Sequence, residues 1–128
     1  MLRRSALKPR KQNSHRADAW KRCDPFLKWL RGRPCYLADK GGCAGDIVAA
    51  HFDPWGDKGT STKVSDQAAF PLCGGHGGHH AEQHSIGWDS FQKKYDFDGR
   101  DVVTAYWLAW LEGTQMGRDW ARKQEEAA

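Results

Sequence analysis

The cysteines and histidines of this chain are crowded into one part of the sequence. Of six histidines and four cysteines in 128 residues, five histidines and three cysteines fall within residues 35–84. They come as Cys35 and Cys43, then His51, then a run over residues 73–84. Thiolates and imidazoles are the side chains that hold zinc and other transition metals in proteins. We therefore expect a small fold organised around bound metal.

The size and composition of the chain favour one domain without a membrane span. A chain of 128 residues with 39% hydrophobic residues can form a single, modest core. No apolar run approaches the roughly 20 residues that cross a bilayer, and the basic segment Met1–Arg16 lacks the apolar stretch of a signal peptide. We expect a cytoplasmic protein, where disulfides are rare and thiols bind metals or lie buried.

Charge is distributed unevenly along the sequence. Residues 1–33 contain eleven Lys or Arg against two Asp, a net charge of +9, whereas the other 95 residues carry −5. A basic segment of this kind suits a phosphate backbone, but solvated disordered tails have the same composition. Residues 1–16 are polar and basic, so we expect them to form a disordered arm.

Apolar periodicity and turn residues predict an α+β fold. The pair Asp24-Pro25 is a helix start, and Gly32 is a helix stop. Two short apolar segments predict strands on either side of a long polar loop. The predicted elements are a helix from Asp24 to Gly32, strands at 46–51 and 68–72, a helix at 79–84, a helix from Trp88, and a helix at 102–112.

The last predicted helix is rich in aromatic residues. Its apolar side chains repeat at helical spacing, which indicates core packing more than a surface for stacking bases. After it, residues 114–128 are expected to form a polar tail. The repeating side chains are Val103, Tyr106, Trp107, Trp110 and Leu111.

Three histidines have spacings suited to a reaction centre. His80 and His84 are four apart, so a helix would place both rings on one face, where they can share a metal ion. His51 ends an apolar strand and can accept a proton from water near neutral pH. Each of these histidines taken alone has an ordinary structural explanation, on a polar helix surface or in a core.

The cysteines suggest a second, structural metal site. Cys35, Cys43 and Cys73 with one histidine would form a tetrahedral zinc site. His76 is the first choice for the fourth ligand and His79 is the alternative. The seven residues between the first two cysteines exceed the usual knuckle spacing, so three buried thiols without an ion remain an alternative. Cys23 stands apart and is expected to be a buried free thiol.

Taken together, residues 26–91 resemble the HNH (ββα-metal) nuclease superfamily. The resemblance is greatest to small phage and prophage nucleases of the recombination-enhancement, RecA-dependent type. It is carried by the order of short motifs more than by any one of them. These motifs are Ala49-Ala50-His51-Phe52, Thr62-Lys63-Val64-Ser65-Asp66, Pro71-Leu72-Cys73 and the segment His79–Trp88.

The resemblance implies a fold and a domain organisation. A ββα-metal core over about residues 46–85, with zinc-stapled loops and flanking helices, would lie in a nuclease domain spanning 17–113. The basic arm 1–16 would precede this domain and the polar tail 114–128 would follow it.

The resemblance also implies site residues and a reaction. His51 would be the general base of phosphodiester hydrolysis, and His80 and His84 would hold one Mg²⁺ or Mn²⁺ ion. Many members carry a further metal ligand where this chain has Ala50, so Asp66 or Asp53 is a candidate replacement, with water and phosphate as the alternative. Structural zinc would bind the three cysteines and His76 or His79. The residues expected to contact DNA are Lys58, Lys63, Arg31 and Arg33.

Two alternatives remain open from the sequence. A zinc-stabilised DNA-binding module without catalysis would account for the missing ligand at Ala50. A thiol-dependent enzyme is disfavoured, because no cysteine is placed as an exposed nucleophile with its own base. The sequence does not define the DNA preference, the need for a recombinase filament as partner, or the oligomeric state.

Overall fold

The computed structural model describes residues 22–56 and 64–127. They contain five α-helices and one two-stranded antiparallel sheet, in agreement with the predicted α+β class. In this part of the chain, no helix combines the length and the apolar character needed to cross a membrane. The elements are α1 (Asp24–Arg31), β1 (Ile47–His51), β2 (Ala69–Cys73), α2 (His79–Ile86), α3 (Trp88–Tyr95), α4 (Gly99–Gly113) and α5 (Gln115–Ala127), with short 3-10 turns at Ala38–Lys40 and Asp53–Trp55.

Helix α1 forms where the sequence predicts it. Cys23 is the N-cap and Asp24 the first helical residue, so the helix begins one residue earlier than an Asp24 cap implies. Phe26 and Leu30 are four apart and fully buried, because residues at this spacing share a helix face. The backbone N–H of Gly32 bonds to the carbonyl of Trp29 at 3.0 Å and closes the last turn.

The sheet pairs the two predicted strands. β1 starts one residue later than predicted and ends as predicted, and β2 lies one residue further along the chain. Ile47 lies opposite Cys73, and His51, the last residue of β1, lies opposite Ala69. Every residue of β2 is buried. The sheet therefore places Cys73 and His51 at opposite ends of the same two-stranded ribbon.

Two groups of buried side chains form the core. One lies between the sheet, α3 and α4 and contains Phe70 and Phe91. The other lies between α1, the sheet and α4 and contains Phe26 and Trp110. Val103 and Trp110 are each 1% exposed, and the rings of Phe26 and Trp107 meet edge to face at 5.0 Å. The prediction that the aromatic residues of α4 belong to the core is confirmed.

The expected polar tail is instead a packed helix. Helix α5 folds back on α4, and its Gly117 lies so close to α4 that a Cβ there would be 2.0 Å from the carbonyl oxygen of Trp110. The ring of Trp120 packs edge to face on Trp107 at 5.3 Å. One glycine and one tryptophan thus dock an otherwise polar segment on α4. Two such residues are too few to produce a periodic apolar pattern in the sequence. The expected disordered arm, 1–16, lies outside the described residues.

Candidate metal centre and neighbouring histidines

Three cysteines and one histidine converge at one end of the sheet. The ligand atoms of Cys35, Cys43, Cys73 and His79 all lie within 4.8 Å of one another. Nδ1 of His79 is 3.5, 3.7 and 3.2 Å from the three sulfur atoms in that order. A tetrahedral zinc ion with ordinary bond lengths separates its sulfur and nitrogen ligands by about 3.5 Å. The set therefore fits a Cys3His zinc site, in which all four ligands come from the protein.

Short loops bring these four ligands together. Cys73 ends β2 and His79 begins α2, and the backbone N–H of His79 donates to Sγ of Cys73 at 3.0 Å. Cys35 follows α1, and its sulfur accepts from the N–H of Leu37 at 3.4 Å. Cys43 precedes β1 in a loop that is bonded to the turn after β2. Backbone hydrogen bonds, within these segments or between neighbouring loops, therefore hold the ligands in place.

The loop carrying Cys43 touches the turn after β2 backbone to backbone. The N–H of Gly75 donates to the carbonyl of Ala44 at 2.7 Å. A Cβ on Gly45 would lie 2.4 Å from Cα of Gly75, and Gly45 also has a φ of +79°. Only glycine meets both requirements. This close approach allows Cys43 to reach Cys73.

The fourth ligand position belongs to His79 and not to His76. His79 is 2% exposed, whereas His76 is exposed and stands outside the group of four. The reason is a tight turn, in which the N–H of Gly78 bonds to the carbonyl of Gly75 at 2.9 Å. His76 lies on the outer side of that turn. After the turn the chain comes back towards Cys73, so that His79 contacts its sulfur. The structure groups the alternative, His79, with the three cysteines and leaves the first choice, His76, outside that group.

The three thiols of this set differ in how readily they ionise. Burial raises the pKa of the Cys35 thiol to about 12, and desolvation raises that of Cys43 with nearby Cys73 adding to the effect. Burial also acts on Cys73, but hydrogen bonds led by the backbone N–H of His79 outweigh it and lower its pKa to about 7. Three adjacent thiolates repel one another, so a divalent cation is needed for all of them to ionise.

The fourth cysteine is separate from this centre. Cys23 is 2% exposed, and burial raises the pKa of its thiol to about 11. A neutral buried thiol is chemically inert. This agrees with the expectation of a free structural cysteine.

His51 lies at the other end of the sheet and is paired with a carboxylate. Its Nε2 is 2.9 Å from Oδ1 of Asp66, and the second oxygen of Asp66 accepts from the backbone N–H of Cys23 at 2.7 Å. The side chain of His51 is 35% exposed and that of Asp66 16%. Sequence reasoning missed this pairing, because the two residues are fifteen apart and joined only by the strand register.

His80 and His84 share one face of α2, as the sequence predicts. Their ring centroids are 4.7 Å apart and the rings are nearly perpendicular. Burial, with the charge of His84 as second cause, lowers the pKa of His80. His80 is therefore neutral at physiological pH and offers a lone pair, as a metal ligand must.

A third protein ligand for this pair is not found in residues 22–56 and 64–127. Among these residues, no Asp, Glu, Cys or further His completes a group of three ligand atoms within 4.8 Å around His80 and His84. Asp66, the candidate third ligand, contacts His51 and Cys23. Among the described residues, His51 likewise forms no group of three ligand atoms within this distance with His80 and His84.

Helix α2 is fastened to α3 by polar contacts. Glu82 accepts from the hydroxyl of Tyr95 at 2.6 Å and pairs with Lys94. Hydrogen bonds from Lys94 and then Tyr95 lower the pKa of the Glu82 carboxyl. The ring of His79 packs edge to face on Tyr95 at 5.5 Å. These contacts orient the helix that carries the histidine pair.

The structure describes two of the four residues that were expected to contact DNA. Arg31 and Arg33 are exposed at the end of α1, and the Arg33 guanidinium lies 4.9 Å from the ring centre of Trp29. Lys58 and Lys63 lie outside the described residues. Trp55, which the sequence suggested as a core residue of the long polar loop, is instead 41% exposed. The guanidinium of Arg100 lies 5.2 Å from the centre of its ring.

Comparison with known proteins gives no independent assignment. No family model, curated protein or solved structure matches this chain. The metal centre and the histidines are therefore interpreted from their own geometry and chemistry. What this geometry supports is a metal-binding α+β protein with a Cys3His site suited to zinc.

Proposed function

We propose that this protein is a metal-dependent DNA endonuclease that hydrolyses phosphodiester bonds. One observation carries the proposal: a strand ending in His51 pairs with a second strand, and the following helix presents His80 and His84 on one face. The order of these elements agrees with the HNH resemblance of residues 26–91. The Cys3His set next to the helix is consistent with the structural zinc implied by that resemblance.

In this proposal the two metal centres have separate roles. A site closed by four protein ligands leaves no position for substrate, so zinc at the Cys3His set is structural. His80 and His84 would hold a Mg²⁺ or Mn²⁺ ion, with water and phosphate oxygens completing its shell. Such an ion supplies positive charge against the crowded phosphate and the departing oxygen. Because His79 and His80 are adjacent, the structural centre fixes the start of the catalytic helix.

His51 is the proposed general base. Its imidazole is partly exposed, so water can reach it, and histidine is the side chain most often used as a general base. No covalent enzyme intermediate is required. The products expected for this class of reaction are a 5′-phosphate and a 3′-hydroxyl. The basic first third of the chain, with Arg31 and Arg33 exposed, would add affinity for DNA that is independent of sequence and falls with salt.

Nicking of supercoiled plasmid tests the proposal. Wild-type protein with Mg²⁺ or Mn²⁺ should convert the plasmid to open-circle or linear forms. His51→Ala should reduce the cleavage rate about 10²–10⁴-fold, the usual contribution of a general base, while DNA binding measured by fluorescence anisotropy persists. His76→Ala is the matched control, since His76 is exposed and belongs neither to the Cys3His set nor to the histidine pair of α2. It should cut at the wild-type rate.

A second candidate function is a zinc-stabilised DNA-binding module without catalysis. It is favoured by one observation, the absence of a third ligand for His80 and His84 in the described parts of the chain. This candidate predicts that zinc-loaded wild-type protein binds DNA but does not cut it with Mg²⁺, Mn²⁺, Co²⁺ or Ni²⁺. Loss of cutting in both His80→Ala and His84→Ala, with zinc retained, would exclude it.

A further inference from the structure

Asp66 contacts His51 in a way that determines which ring nitrogen carries hydrogen. The 2.9 Å contact joins Nε2 of His51 to Oδ1 of Asp66. A carboxylate can only accept hydrogen bonds, so Nε2 must be the donor. In the neutral imidazole, Nδ1 then has no hydrogen and holds the free lone pair.

The carboxylate is itself fixed by a second donor. Oδ2 of Asp66 accepts from the backbone N–H of Cys23 at 2.7 Å, immediately before α1. The turn preceding β2 also holds Asp66 in place, because the N–H of Ala68 bonds to the carbonyl of Ser65 at 3.0 Å. With one oxygen committed to a backbone N–H, the other must face His51. The carboxylate therefore has little freedom to rotate.

We infer that Asp66 is a positioning residue that keeps His51 in the Nε2–H tautomer and leaves Nδ1 as the proton acceptor. This inference rests on the proposed function and replaces the expectation that Asp66 binds the catalytic ion. Deprotonation of water would then proceed by transfer of its proton to Nδ1, giving an imidazolium whose second N–H is already paired with a carboxylate. The attacking oxygen keeps the electron pair of the broken O–H bond.

The two hydrogen bonds of Asp66 make the effect of Asp66→Asn specific. The N–H of Cys23 still requires an oxygen, so the amide oxygen of the new residue turns towards Cys23. Its NH₂ group then faces Nε2 of His51 and can only donate. Nε2 must become the acceptor, and the hydrogen moves to Nδ1. An isosteric substitution thus gives the wrong tautomer while the fold is retained.

Nitrogen NMR detects this change without any cleavage assay. We would record long-range ¹H–¹⁵N spectra of ¹⁵N-histidine-labelled, zinc-loaded full-length protein, without DNA or a second metal, at a pH where the ring is neutral. His51→Gln identifies the His51 signals. Wild-type protein should show His51 with hydrogen on Nε2, and Asp66→Asn should show it on Nδ1. Asp39→Asn removes an exposed carboxylate elsewhere and should leave the spectrum unchanged.

Of the two Asp66 variants, the one with the lower cleavage rate should be the one with the higher thermal stability. Asp66→Asn should lose about 10²–10⁴-fold in cleavage rate with little change in KM, as expected when the base has the wrong tautomer. Asp66→Ala should lose less, because water can replace the carboxylate and both tautomers become populated. In thermal melts Asp66→Ala should be the less stable variant, since the Cys23 N–H loses its partner.

The outcomes separate this inference from the proposed function. Hydrogen on Nδ1 of His51 in the wild type, or on Nε2 in Asp66→Asn, would overturn the positioning role even if the protein cuts DNA. A cleavage order that simply follows stability would also overturn it. Wild-type protein that shows the expected tautomers but never cuts would refute the nuclease and leave the Asp66–His51 pairing established.

Discussion

The backbone N–H of His79 donates to Sγ of Cys73 at 3.0 Å, and Nδ1 of the same histidine lies 3.2 Å from that sulfur. One residue is therefore joined to the end of β2 by both its backbone and its side chain. The residues of α2 that are buried are His79 and Gln83, both polar. Because this helix has no buried apolar side chain of its own, its position depends on the contacts of His79 with Cys73 and on the polar contacts of Glu82 with α3.

The first prediction concerns metal content. Purified protein should contain about one tightly bound zinc per chain, and chelation should unfold it. Cys43→Ser should lower the zinc content and destabilise the fold by about 4 kcal/mol or more, the scale expected for a lost metal site. Metal analysis and denaturant unfolding provide the measurements.

Cys23→Ser is the control for this prediction. Cys23 is buried but separate from the metal centre, so this variant should keep one zinc per chain. Any cost in stability would then come from burying a polar hydroxyl in place of the thiol and not from a lost ion. Full zinc occupancy in Cys43→Ser, with wild-type stability, would show that the three thiols do not bind an ion together.

The second prediction separates the two candidates for the fourth ligand. His79→Ala should lose the zinc and the helical signal of α2, whereas His76→Ala should keep both, because His76 lies on the outer side of the turn. His79→Cys should restore binding as a four-cysteine site. Cobalt substitution, followed by visible spectroscopy, reports the ligand set directly.

The opposite result would be equally clear. Zinc retained in His79→Ala but lost in His76→Ala would mean that the turn after β2 is arranged differently when the ion is bound. Cleavage should also fall in His79→Ala, since His80 follows it directly on α2. His76→Ala should not share this loss.

Much of the fold could be predicted because it depends on local patterns. Asp24-Pro25 marks the start of α1 through the fixed φ of proline, Gly32 follows its last residue, and the strands are short apolar runs. Asp98 caps α4 and accepts from the N–H of Arg100 at 2.9 Å, so this helix begins at Gly99, three residues before the predicted range of 102–112. The packing of α5 was missed because it depends on a few contacts with α4.

The site was predictable in its residue types but not in its pairings. The proximity of His80 and His84 could be predicted from their spacing, because residues four apart lie on the same face of a helix. The choice between His76 and His79 depended on one turn, and the Asp66–His51 contact on the register of two strands. Neither the turn geometry nor the strand register can be read from spacing alone.

The third prediction tests the contact that brings Cys43 to the metal centre. Gly45→Ala places a Cβ 2.4 Å from Cα of Gly75 at a backbone conformation with φ of +79°. Backbone atoms cannot yield as a side chain can, so the two loops must separate. Zinc affinity should fall and the melting temperature should drop, as metal titration and thermal melts would show.

Gly113→Ala is the matched control for Gly45→Ala. Gly113 ends α4 and no atom lies within 4 Å of a Cβ built there. Alanine favours helix over glycine by up to about 1 kcal/mol, so this variant should be neutral or slightly more stable. Equal zinc affinity in Gly45→Ala and Gly113→Ala would mean that the close approach of the two loops is not required.

The fourth prediction distinguishes a core role from a base-stacking role for the aromatic face of α4. Trp110 is 1% exposed and packs on Phe26 at 5.5 Å between ring centroids. Trp110→Ala should therefore cost about 3–5 kcal/mol in the free energy of unfolding. Leu108→Ala, on the 42% exposed side of the same helix, should change it by less than about 0.5 kcal/mol. Urea unfolding at saturating zinc measures both.

DNA affinity completes this test. A tryptophan that stacked on bases would contribute about 1–3 kcal/mol to binding and little to folding. A core tryptophan does the reverse, so Trp110→Ala protein kept folded at low temperature should bind DNA as the wild type does. A variant with wild-type stability and weakened binding would place Trp110 at the DNA surface. That result would contradict its packing between α1 and α5, where Phe26 and Trp120 contact its ring.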